Sequence, residues 1–341
     1  MRLLLARPFK RSSPPFLAQV FMGVMLDYGM RPLIKFQERR GGAVRLMSRF
    51  ARGNHERMRK KNPFRGYVPG PQDVFVMTYA KSGTNWMMQI AHQLIYHGKG
   101  DYDHLHDVVP WPDTFAMPGP LKKYAIPLQE ATHWRNAPEP LRVIKTHFNW
   151  DMLPHSDQAR YMAVIRDPKD VFVSNYHFIR DGLYGPSMPS IETWLELFLS
   201  PDFPLGGSWA ANAAGYWAER HRPNVLIASF REMKRDLRGT VKNVARFLRI
   251  DVGEDVIDEV CRLSSFEYMK AIDRKFAMGK MIAWREPGVM IRKGSQGGSA
   301  EMLTPAQQRR IDEHFIAELA HLGSNFPYAE FCELAAATSV R

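Results

Sequence analysis

Val74-Phe75-Val76-Met77-Thr78-Tyr79-Ala80-Lys81-Ser82-Gly83-Thr84-Asn85-Trp86 decides the fold. The run from Val74 to Tyr79 is rich in β-formers, a short turn follows, and from Asn85 to Tyr96 apolar residues recur at helical spacing. A loop that feeds a helix aims unpaired backbone N–H groups and the positive end of the helix dipole at one point, which suits a phosphate or sulfate. Gly83 permits close backbone approach, Ser82 and Thr84 add hydroxyls, and Lys81 adds a mobile charge. The order differs from the nucleotide triphosphatase loop, in which lysine follows the second glycine, and an NTPase is disfavoured.

Outward from this unit the alternation continues. Leu141–Thr146, Tyr161–Ile165 and Val225–Ala228 read as strands. Asp167-Pro168 reads as an N-cap with proline at the first helical position, leading a helix through Ile179. Further helices are expected over Glu232–Leu248 and from Thr304-Pro305 to Leu322. Strands separated by helices predict an α/β domain with a mainly parallel central sheet covered on both faces.

Three more segments carry chemistry. Lys145-Thr146-His147 closes a strand, where an open parallel sheet places its ligands, and a histidine there can take a proton near neutral pH. Arg166-Asp167-Pro168-Lys169-Asp170-Val171-Phe172-Val173-Ser174 places an arginine, suited to bidentate phosphate contact, before a helix and a serine two turns into it. Ile291-Arg292-Lys293-Gly294-Ser295-Gln296-Gly297-Gly298-Ser299 is a basic, glycine-rich loop able to fold around an anion. Taken singly, each also reads as a cap, a surface ion pair or a flexible loop.

Composition restricts the alternatives. The two cysteines, Cys261 and Cys332, allow neither a disulfide framework nor a thiol zinc site, and a reducing compartment fits them. No metal-ligand spacing stands out, and no stretch reads as a membrane span or a secretory signal. The net charge of +12 is unevenly distributed: residues 1 to 65 hold 16 Lys+Arg against three acids. The remainder therefore has 47 − 16 = 31 basic against 35 − 3 = 32 acidic residues, so the body is balanced and no nucleic-acid partner is expected. The basic arm mixes in short apolar groups, which suits amphipathic helices packed on the body or in peripheral contact with a membrane. The expected organisation is a basic helical extension over 1–65, a catalytic domain over 66–330 and a tail over 331–341.

Together these motifs, in this order, resemble the cytosolic-type sulfotransferase family, in a bacterial or otherwise divergent member. The resemblance covers roughly residues 65 to 325. Lys81-Ser82-Gly83-Thr84 with Asn85 and Trp86 is similar to the family's 5′-phosphosulfate loop, Arg166 to Ser174 to its 3′-phosphate motif, and Arg292-Lys293-Gly294 to its C-terminal donor loop. Ser264-Ser265-Phe266 resembles the adenine-contacting segment, Phe230 stands where a tyrosine is common, and Val109-Pro110-Trp111-Pro112 resembles the acceptor-side loop. Ala80 departs from the usual proline, and the short C-terminal dimer segment has no match, so a homodimer is left open.

The resemblance implies a P-loop-like fold and transfer of a sulfuryl group from 3′-phosphoadenosine 5′-phosphosulfate (PAPS) to a hydroxyl or amine. Adenosine 3′,5′-bisphosphate (PAP) would be the spent donor, with no metal. It implies His147 as general base, Lys81 at the leaving oxygen and Lys145 at the transferring group. Ser82, Gly83 and Thr84 would hold the 5′-phosphate, and Arg166, Ser174 and Arg292 the 3′-phosphate. Trp86 and Phe266 would stack on adenine. Trp111, Phe115, Met117, Phe148 and Trp150 are the expected acceptor pocket, for an apolar or aromatic small molecule in the cytoplasm. The rivals are a nucleotide-dependent kinase and a non-catalytic module binding membrane or nucleic acid through the arm.

Overall fold

In the computed structural model, which describes residues 15–115, 127–292 and 298–335, four strands form one parallel sheet in the order β2-β1-β3-β4. They are β1 (Asp73–Thr78), β2 (Arg142–Thr146), β3 (Arg160–Ile165) and β4 (Val225–Ser229). Every residue of β1 is buried, as a central strand covered on both faces requires. Its side chains alternate: Val74 and Val76 enter one core, Phe75 and Met77 the other. Phe75 lies opposite Tyr161 in the ladder and the rings stack with centroids 5.1 Å apart, which helps fix that register. At the other end of β1, the buried Asp73 carboxylate accepts from Arg142 Nε and Nη2 at 2.9 and 2.7 Å and from Tyr67 OH.

The first core is covered by α4 (Thr84–Ile95), α8 (Phe230–Arg235), α9 (Leu237–Leu248) and α10 (Glu254–Leu263), with α11 (Phe266–Ala271) beside them. On the opposite face lie α5 (Pro168–Ile179), α6 (Ile191–Phe198), α7 (Trp209–Ala218), α12 (Pro305–His321) and the short α13 (Tyr328–Phe331), which share a core rich in Trp and Phe. Asp167 caps α5 as expected, its carboxylate accepting from Lys169 N. Thr304 and Gln307 form a reciprocal capping box on α12. The expected single helix over Glu232–Leu248 is two, because Asp236 leaves helical geometry (φ −141°) and uses its carboxylate to cap Gly239 N at 2.7 Å.

The basic arm folds onto the body as α1 (Phe16–Val24), a π-helical turn (Met25–Met30), α2 (Arg31–Arg39) and α3 (Ala43–Lys60). The first three run on without a break. The π turn ends two residues before Pro32, whose ring would collide with the carbonyl four residues back in a regular helix. Gly23 admits the Trp284 ring so closely that a Cβ would lie 2.2 Å from it. Asp27 accepts from Trp284 Nε1 at 3.0 Å and pairs with Arg285. Met47 of α3 enters the second core, and Arg52 and Arg59 pair with Asp202 and Asp151.

Candidate active site

Both edges of the site start from the C-terminal end of β1. The chain leaves Thr78 through Lys81, at φ +70°, and Gly83, at φ +102°, into α4. A Cβ at Gly83 would lie 2.8 Å from the Phe230 ring, so glycine is required here by space as well as by φ. Thr78 Oγ1 and Thr84 Oγ1 are 2.6 Å apart, tying the strand end to the first helical residue. Ser82 N–H turns inward to Tyr79 O, and the fully buried Ser82 is off the cavity wall. The amides of Gly83, Thr84 and Asn85 have no acceptor among the described residues. They form the anion cradle at the α4 N-terminus.

Arg166, just past β3, donates to Lys81 O at 3.1 Å, lies 4.4 Å over the Phe230 ring and faces Asp170 at 3.6 Å. Its buried Nε has no hydrogen-bond partner. Burial, and then repulsion from Arg166, pull the Lys81 ammonium down to about 8. Two neighbouring cations and an orphaned donor beside three free amides fit a polyanionic nucleotide, whose charge relieves their repulsion.

His147 follows β2, which pairs directly with β1. Its Nδ1 is 2.9 Å from Thr78 O, so Nδ1–H donates there and the neutral ring keeps its Nε2 lone pair. Burial, reinforced by Lys145 and Lys81, pulls His147 down to about 3 and keeps it unprotonated. The buried Asp113 accepts the His147 backbone N–H through Oδ2 at 2.6 Å, and burial pushes this carboxyl up to about 6. Lys145 Nζ lies 3.4 Å from the centroid of the Trp111 ring and 3.4 Å from His106 Nε2, and burial pulls it down to about 7. His106 stacks on Trp111, with centroids 5.4 Å apart, and its Nδ1 lies 3.0 Å from Val109 O. Lys145 is thus held between an imidazole and an indole.

One cavity of about 1310 Å³ joins these groups. Lys81, Gly83, Thr84, Asn85, Trp86 and Arg166 reach it, as do Ser174, Phe230, Phe266 and Arg292. On the other side it is walled by Trp111, Lys145, His147 and Phe148. Trp86 Nε1 also donates to Ser264 O at 2.8 Å, so Ser264 steadies the indole from behind the wall. Trp150, expected in the acceptor pocket, points away instead, packing on His155 and Tyr161 at 4.4 and 5.2 Å. Lys293, Gly294, Met117 and the Phe115 side chain lie outside the described residues. Sequence reasoning missed Asp113, His106 and Thr78, and missed that α3 of the arm supplies His55 and Met58 to the wall. Asp113 follows the quoted Trp111-Pro112 directly, the one signal that could have drawn attention to it.

Residues 71–323 match the model of the sulfotransferase domain. Human sulfotransferase 1C2 is 28% identical over 267 residues, covering 75% of this chain and 86% of that protein. Rabbit amine sulfotransferase is 29% identical over 254 residues, covering 72% and 80%. Among solved structures, mouse sulfotransferase SULT7A1 complexed with PAP superposes with a TM-score of 0.57 at 27% identity, covering 75% of this chain and 87% of that one. Retinol dehydratase, in complex with androsterone and PAP, shares the fold with a TM-score of 0.63 at 20% identity, covering 77% and 84%. With the phosphate loop, the strand-end histidine and the match across most of its length, this chain belongs to the sulfotransferase family and is a sulfotransferase enzyme.

Proposed function

We propose that the enzyme transfers a sulfuryl group from PAPS to a hydroxyl or amine of an apolar acceptor, with His147 as the base. The observation that carries this is the link from the phosphate loop to the base: Thr84 to Thr78 at 2.6 Å, and Thr78 O to His147 Nδ1 at 2.9 Å. When bound, the donor supplies an activated sulfuryl group on its 5′-phosphate. The Gly83, Thr84 and Asn85 amides hold that phosphate, and Arg166, Ser174 and Arg292 hold the 3′-phosphate that distinguishes this nucleotide from ADP. Trp86 and Phe266 flank the adenine.

His147 Nε2 receives the acceptor proton as the new bond from sulfur to the acceptor oxygen or nitrogen forms and the bond from sulfur to the phosphate oxygen breaks. Lys81 balances charge on the departing oxygen and Lys145 on the transferring group, in an apolar cavity where such charges act strongly. Trp111, Phe148, His55 and Met58 wall the acceptor end. The transferase unit spans 66–330 and works in the cytoplasm. Two free cysteines, Cys261 and Cys332, suit that compartment.

The test is calorimetric titration with PAP, against ADP as control, on the native chain and Arg166→Ala. PAP should bind more tightly than ADP and lose that advantage in the variant. His147→Ala should still bind PAP while losing turnover. Equal binding of ADP, or turnover surviving without His147, refutes the assignment.

A further inference from the structure

Among the described residues, no element covers the outer face of α1. Phe16, Leu17, Phe21 and Tyr28 are 68, 79, 67 and 77% exposed, and Val24 and Met25 about half. Leu17, Phe21, Val24 and Tyr28 follow one another at helical steps of three or four, so they form one stripe, opposite the buried Gln19 and Gly23. Solvated helices rarely carry such a run of large apolar groups, and one marks a contact surface.

The charge around it names the partner. Arg31, Arg39, Arg40, Arg45 and Arg49, on the helices that follow, are exposed and have no acidic partner among the described residues. Arg40 lies 4.5 Å from the ring centroid of the half-exposed Phe36. Arg2, Arg7, Lys10 and Arg11 precede the stripe in sequence. Large apolar and aromatic side chains on one helix, followed by unpaired cations on the next two, suit a segment lying in the interface of an anionic bilayer. No helix among the described residues is long and apolar enough to cross a membrane.

The inner side of the same helix meets the catalytic cavity. Met22, next in sequence to Phe21 of the exposed stripe, lines it, as do Tyr184, Met281 and Val289. Trp284, half exposed, packs over Gly23 on that inner side.

We infer that α1 docks the enzyme on anionic membranes and that the acceptor is a bilayer-dissolved amphiphile, a long-chain alcohol or its like, entering past Met22. The docking stands alone, whereas the acceptor class rests on the sulfuryl-transfer reading.

The experiment is co-sedimentation of the full chain with phosphatidylglycerol/phosphatidylcholine vesicles and with pure phosphatidylcholine, at low and high salt. The same is done for the triple variant Leu17→Ser, Phe21→Ser, Tyr28→Ser, with circular dichroism as the folding control. The native chain should sediment with the anionic vesicles and weaken with salt. The variant should bind on the order of a thousand-fold less, since three exposed groups of this size each add about ten-fold on burial. Failure of the native chain to bind, or equal binding by a folded variant, overturns the docking. So does a solution dimer that the triple substitution turns into monomer, because a second copy would then be the partner. With docking established, tetradecanol in anionic vesicles should be sulfated at least ten-fold faster by the native chain than by the variant, with a soluble phenol unaffected. Turnover of the phenol without the alcohol overturns the acceptor class. Turnover of neither, with docking intact, counts against the transfer reading.

Discussion

Raising the pH from 7 to 9 should weaken PAP binding, because the site borrows its charge from lysines that burial has made easy to deprotonate. Lys81 is pulled down to about 8 and Lys145 to about 7 in the absence of an anion. A bound bisphosphate raises both, so affinity is complete below the free-protein values and is lost as the pH climbs through them. If Lys81 stays protonated in the complex, its share of the loss between pH 7 and 9 is about ten-fold, and Lys145 can add up to about fifty-fold. The ligand contributes little, since the second ionisation of a phosphate monoester lies near ~6 and is over by pH 7. At pH 8 the free protein holds about half a proton on Lys81 and about a tenth on Lys145, so binding should take up about half a proton through Lys81 alone and up to about 1.4 if Lys145 is also protonated in the complex. Calorimetry at pH 8 in two buffers of different ionisation enthalpy reads that uptake directly. Lys81→Arg, whose guanidinium does not titrate in this range, should lose the Lys81 share of the slope. An affinity constant across pH 7 to 9, no proton uptake at pH 8, or an undiminished slope in Lys81→Arg would refute the reasoning.

Gly83→Ala should cost about 1–3 kcal/mol of stability in denaturant titration, from its left-handed φ and the Phe230 contact, and should abolish PAP binding even where the protein stays folded. Asp73→Ala strands the buried Arg142 guanidinium and should cost about 3–5 kcal/mol, while PAP affinity of the folded protein is nearly unchanged because the pair lies at the far end of β1. Met58→Trp should raise the acceptor KM several-fold, measured by initial rates, with little change in PAP affinity, since Met58 packs against the cluster that holds Phe148, at the proposed acceptor end.

The sheet was legible because its strands are buried on both faces and therefore appear as short runs of Val, Ile, Phe and Met between turns. The α5 start was legible too, since Asp167-Pro168 combines a cap with the one residue that suits the first helical position. Helix α7, Trp209-Ala-Ala-Asn-Ala-Ala-Gly-Tyr-Trp, was passed over because it is wrapped by core and shows little polar contrast around its circumference. In the site, the sequence marked His147 by its place at a strand end. The groups that hold it are different in kind: the Thr78 carbonyl sets the ring proton, and Asp113 anchors the His147 main-chain N–H, so each bond involves a backbone group that no side-chain pattern announces. Trp150 and Phe148, two residues apart, read alike in sequence, yet Trp150 turns into a 3-10 turn and packs on Tyr161 while Phe148 reaches the cavity.

Met58 and His55 come from a helix that ends before residue 71, where the family match begins. On the proposed reading, the room for the acceptor is partly furnished by a segment that precedes the family match, whereas the phosphate loop, Arg166, Ser174 and Arg292 all lie within it. Relatives aligned over 71–323 inform the reading of the donor far better than that of the acceptor. The two can diverge separately: replacing or re-angling α3 would reshape what the enzyme accepts and leave untouched the machinery that activates the group it gives.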